Sequence, residues 1–127
     1  MADWEDVARV AAGLPETTET SPRTWRVRKK LVVWERPLRK ADLEAMGDDA
    51  PDGEILGARV PDEGVKRALI TDNPAVYFTT PHFDGYPAIL VRLAVIDMPE
   101  LTELITESWL TQAPKTLAKK FLADGPG

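Results

Sequence analysis

The sequence contains no cysteine. That excludes disulfides, thiolate zinc sites and a cysteine nucleophile. It contains one histidine, His82, and His82 with the nearby Asp84 falls short of the three or four ligands a metal centre needs. No metal site is expected. Long apolar runs are missing too. The longest, from Ala88 on to Ile96, is broken by Arg92 and is far shorter than the roughly 18 residues that cross a bilayer. The first residues, Met-Ala-Asp-Trp-Glu-Asp, are acidic and carry no apolar h-region, so no signal peptide, no membrane partner and a cytoplasmic location are expected. A glycine-rich phosphate loop with a Walker lysine is absent. Ser21 and Ser108 lack the Gly-x-Ser-x-Gly setting of a hydrolase nucleophile. With none of these signatures, no enzymatic activity and no cofactor are expected. Net positive charge is also lacking: the formal charge is −5, the wrong sign for a generic nucleic-acid binder.

What is present is an ordinary globular composition, 43% apolar and 29% charged over 127 residues. That length fits one domain, residues 1–127, with one proper core. The charges are sorted along the chain. Arg23, Arg26, Arg28, Lys29, Lys30, Arg36, Arg39 and Lys40 are half of the basic residues and are opposed in their stretch only by Glu35. Asp42, Glu44, Asp48, Asp49, Asp52, Glu54, Asp62 and Glu63 then follow against Arg59 alone.

Asp3 can cap a first helix with Trp4, Val7, Ala8, Ala11 and Leu14 on one face. Gly13 and Pro15 end it, and the polar PETTETSP run reads as a loop. From Thr24 the chain alternates, Trp25 and Val27 against Arg26 and Arg28, and Leu31 to Trp34 is then continuously apolar. Two strands with a bend at Arg28 to Lys30, or one longer strand, both fit. A short helix is expected at Lys40 to Met46, broken by Gly47, Pro51 and Gly53. A strand follows from Ile55 to Val60, then a helix capped by Asp62 with Val65, Ala68 and Leu69 inward and a stop at Asn73-Pro74. Strands are expected at Val76 to Thr79 and Ala88 to Ile96, separated by an Asp84-Gly85 turn. Asp97 and Glu100 cap a helix with Leu101, Leu104, Ile105 and Ser108 on one stripe, and Trp109 continues that stripe toward burial.

This order implies an α+β fold of two layers, an antiparallel sheet of about five strands with helices mainly on one face. The stretch from Thr80 to Leu122, with its His-Phe-Asp-Gly-Tyr-Pro turn and its Glu-Ser-Trp and Ala-Pro-Lys tail, resembles the MmcQ/YjbR family of small bacterial proteins. The resemblance extends over nearly the whole chain, most clearly from Val76 to Phe121; Leu38 to Gly53 looks longer and more acidic than the family pattern. It implies a CyaY-like, secretion-chaperone-like fold with two wing-like hairpins and a DNA-binding role.

Under that reading the nucleic-acid contacts are Arg26, Arg28, Lys29 and Lys30 on a basic hairpin and Lys115, Lys119 and Lys120 on the last helix. They would meet phosphates, a contact that is salt-sensitive and blind to sequence. The alternation places Trp25 opposite both arginines, in the core rather than against bases. A second reading is a non-enzymatic module that captures a protein or small ligand, with a candidate pocket at His82, Tyr86 and Trp109. The acidic segment is similar to the metal-binding ridge of frataxin-like proteins, but Asp48, Asp49, Asp52 and Glu54 have no fixed ligand frame and read as a solvated loop.

Overall fold

The first helix, α1 (Trp4–Ala12), starts where Asp3 and Asp6 form a reciprocal capping box, the Asp3 carboxylate accepting from the Asp6 amide at 3.0 Å. Its stripe buries Val7 and Ala11, and Leu14, just past its end, is buried with them. In a computed structural model that describes residues 2–47 and 53–124, six strands follow with four more helices. They are β1 (Thr17–Ser21), β2 (Thr24–Val27), β3 (Lys30–Glu35), α2 (Lys40–Met46), β4 (Ile55–Arg59), α3 (Glu63–Asp72), β5 (Tyr77–Phe78), β6 (Ala88–Arg92), α4 (Met98–Gln112) and α5 (Lys115–Asp124). The sheet is antiparallel throughout, in the order β1-β2-β3-β4-β6-β5. It therefore has six strands where about five were expected.

The additional strand is β1, in the PETTETSP stretch expected to be a loop. It is an edge strand: its backbone pairs with β2, but four of its five side chains are exposed, so no apolar alternation betrays it. The bend between β2 and β3 does form, with Arg28 taking φ +56° in place of a glycine. β6 ends at Arg92, and the apolar residues after it bend through a turn that buries Leu93 and Ile96.

The sheet buries its larger face against α1 and α4. Leu101, Leu104, Ile105, Ser108 and Trp109 of α4 are all buried, as are Trp25, Val27, Val33, Leu56, Ala58 and Val91 of the strands. The Trp109 indole N–H donates to the carbonyl oxygen of Pro15 at 3.0 Å, and its ring packs on Phe121 of α5. The opposite face carries a smaller apolar cluster, Ile55, Phe78, Phe83, Ala88 and Leu90, covered by Trp34, Leu38 and Met46. Gly57 in β4 makes this possible, because a Cβ there would meet the Trp34 ring at 2.5 Å.

The helix α3 departs from expectation. Val65 is 38% exposed and Ala68 is exposed, while Lys66 is the residue turned inward, 2% exposed. Its ammonium donates to the carbonyl oxygens of Phe83 and Tyr86 at 2.6 and 3.0 Å and lies 3.5 Å from a Glu63 carboxylate oxygen. A buried charge with those partners is tolerated, and it pins the turn between β5 and β6. A second buried pair, Arg36 and Asp42, holds α2 to the end of β3 at 3.0 Å.

Candidate nucleic-acid interface

The turn between β2 and β3 projects its basic residues toward the junction of α4 and α5. The junction exists because Ala113 leaves α4 in an extended conformation and Pro114 follows it. α5 then returns to pack Leu117, Ala118 and Phe121 against the core. Gln112, the last residue of α4, donates from Nε2 to the Leu31 carbonyl oxygen at 2.8 Å and so couples helix to hairpin. Between them lies a groove of about 720 Å³. Lys29, Lys30 and Lys115 stand at its edge, with Arg28, while Leu110, Ala113 and Ala118 supply apolar surface.

The seven basic residues singled out in the sequence are not equivalent here. Among the described residues, no carboxylate oxygen lies within 4.0 Å of Lys29, Lys30, Lys115, Lys119 or Lys120. Arg28 is committed to Glu16, which it meets at 2.8 and 3.1 Å through Nε and Nη2. That hydrogen-bonded pairing holds the Glu16 carboxyl below its ordinary range and raises the Arg28 guanidinium. Arg26 points to the sheet face opposite Trp25 and Val27, and its guanidinium donates to the Lys29 carbonyl oxygen at 3.1 Å. Lys119 and Lys120 are exposed on α5 but do not line the groove.

The three residues of the candidate pocket are not brought together. His82 and Tyr86 line a small cleft of about 340 Å³ with Trp34, Arg36, Arg39 and Phe83. His82 is exposed, its ring edge-on to Phe83 at 5.0 Å, and the Arg59 guanidinium sits 4.9 Å above the Tyr86 ring. Trp109 is fully buried among the residues of the larger core, so its helical stripe took it inward and away from that cleft. Among the described residues no three histidine or carboxylate side chains gather as a metal site would require. Asp48, Asp49 and Asp52 of the acidic loop lie outside the described residues. Glu54 is exposed and 3.9 Å from Arg23. No described helix is long and apolar enough to cross a membrane.

A protein-family model of YjbR matches residues 12–111, and the chain belongs to that family. Two curated relatives, the uncharacterized protein Rv2570 of Mycobacterium tuberculosis and the uncharacterized protein Mb2600 of Mycobacterium bovis, are each 63% identical to it over 127 residues, covering 98% of both chains. Among solved structures, the Deinococcus radiodurans protein DR2400, with a DUF419 domain, superposes with a TM-score of 0.63. It covers 94% of this chain and 88% of its own at 20% identity, a likeness of fold.

Proposed function

We propose that this YjbR protein is a non-enzymatic, weak DNA-binding protein that grips the phosphate backbone without base preference. The observation that supports it is the meeting of two basic segments remote in sequence, Lys29 and Lys30 of the hairpin and Lys115 of α5, around one groove, with no carboxylate oxygen within 4.0 Å of these three lysines among the described residues. Lysine ammonium groups contact phosphates as point charges, so the grip is electrostatic and carries no sequence information. The acids of α4 stop at Glu107, and beyond it the helix pair carries only lysines until Asp124. The basic edge is thereby separated from part of the charge that makes the whole chain −5. Arg26, Arg28, Lys119 and Lys120 serve in this reading only as flanking charge.

The apolar surface of Leu110, Ala113 and Ala118 favours a second reading, in which an acidic, amphipathic peptide segment lies in the groove. Two unrelated duplexes of equal length separate the two. The DNA reading expects equal affinity for both, with amide shifts on binding at Lys29, Lys30 and Lys115. Absence of those shifts at low salt removes the DNA reading and leaves the peptide one.

A further inference from the structure

Away from the lysine groove, α3 and one edge of α4 line a cleft of about 560 Å³, with Arg59 and Tyr77 of the sheet also in its wall. One side is apolar, with Val60, Val65 and Leu69. The other carries Asp97, Glu100, Glu103 and Glu107. Arg59, the one guanidinium lining it among the described residues, is engaged elsewhere, its Nε donating to the Pro87 carbonyl oxygen at 3.1 Å and its plane over Tyr86. Asp97 is occupied in capping, accepting from the Glu100 amide at 2.8 Å, and Glu100 lies 3.4 Å from the Asn73 side-chain amide. Glu103 and Glu107 are exposed, with no side-chain hydrogen bond or ion pair among the described residues. Tyr77, also lining the cleft, keeps its hydroxyl proton more firmly than an ordinary tyrosine, through burial first and the neighbouring Glu100 second.

An independent observation concerns Ser108, which lines the same cleft and is 1% exposed. Three other hydroxyls of α4 satisfy themselves on the preceding turn: Thr102 donates to Met98, Thr106 to Thr102 and Thr111 to Glu107, at 2.9, 2.7 and 2.9 Å. Ser108 does not, and its buried Oγ has no hydrogen-bond partner among the described residues. Buried hydroxyls normally have one.

The shape of the charge selects the ligand. A divalent metal wants carboxylates converging on a point, and no such gathering is present among the described residues. Glu100, Glu103 and Glu107 instead run along one helix edge, at axial intervals of about 4.5 and 6 Å for 1.5 Å of rise per residue. We infer that this cleft binds a linear aliphatic polyamine. Its ammonium groups lie along Glu100, Glu103 and Glu107, its methylene stem rests on Val65 and Leu69, and one N–H donates to Ser108 Oγ.

Spermidine, titrated into the full chain at constant ionic strength and followed by amide chemical shifts and calorimetry, tests this. The expected result is saturable binding with shifts in α3 and α4. Binding should weaken about fivefold in a Glu103→Gln, Glu107→Gln double variant, whose side chains are exposed and unpaired, so the fold is kept. It should also weaken about fivefold in Ser108→Ala, which carries no charge change. Magnesium at matched charge should not displace spermidine. Shifts confined to other parts of the chain, full displacement by magnesium, or an unaltered affinity in Ser108→Ala would each overturn the assignment.

Discussion

The side-chain amide of Gln112 donates to the main-chain carbonyl of Leu31 at 2.8 Å, joining the last turn of α4 to a strand 81 residues earlier. Gln112 is 9% exposed, so the bond is shielded from water, and it bridges the two segments that carry Lys29, Lys30 and Lys115. Gln112→Ala leaves the Leu31 carbonyl without that donor. The expected loss is about 1–2 kcal/mol in denaturant unfolding, with a weaker grip on DNA from a looser groove. A variant as stable as the parent and equally tight on DNA shows that the groove walls are held by other contacts.

Trp109 is expected to be the costliest single truncation. Trp109→Ala removes a fully buried ring, the Phe121 contact and the donor to Pro15, and should cost about 3–5 kcal/mol. A thermal melt that barely moves shows a ring less deeply packed than described.

That ring was legible in the sequence because it lies four residues after Ile105 on a stripe with helical period, and the caps Asp3, Asp62 and Asp97 were legible for a similar reason. Other features were hidden by physics that local pattern does not encode. β1 forms from backbone pairing while its side chains stay in water, so nothing apolar marks it. Lys66 reads as a surface residue, and only the fold supplies the Phe83 and Tyr86 carbonyls that let it turn inward in place of Val65 and Ala68. At the candidate interface the residue types were legible, but not their partners. Glu16 takes Arg28 out of the set across 12 residues, and the Gln112 bond that couples the two walls of the groove is announced by no periodicity.

The Arg36–Asp42 pair should behave as a buried ion pair whose halves cannot be removed singly. Its side chains are 7% and 4% exposed, and the Arg39 amide also donates to the Asp42 carboxylate at 2.8 Å. Asp42→Ala is expected to cost about 3 kcal/mol, whereas Arg36→Met with Asp42→Leu should recover much of it. A double variant as unstable as the single one contradicts this account of the pair.

The same pair sets an acid limit. Burial pushes the Asp42 carboxyl up, but the Arg39 amide and the Arg36 guanidinium outweigh it, leaving the group below its ordinary range. A lowered folded pKa stabilises the fold above the unfolded aspartate value of about 3.9. That stabilisation is lost as the pH falls through the folded value. The stability gap between the parent and Asp42→Asn should thus be constant near neutrality and shrink below about pH 4. A gap that widens on acidification has the wrong sign.

Gly57→Ala should destabilise by about 1–3 kcal/mol, since the new Cβ would meet the Trp34 ring at 2.5 Å. Tryptophan fluorescence should shift along with the melting temperature if Trp34 is the group displaced. A substitution that is silent in both shows that the ring can slide aside freely.

The salt dependence of duplex binding, compared between the parent and a Lys29→Gln, Lys30→Gln, Lys115→Gln variant, tests the proposed function most directly. Each phosphate contact contributes about 0.9 to the slope of log affinity against log salt. The parent should bind weakly and only at low salt, with a slope that falls by about 2–3 in the variant, alike for any duplex sequence. A parent that does not bind at the lowest salt, or a variant that keeps the parent's slope, contradicts a DNA grip at this groove.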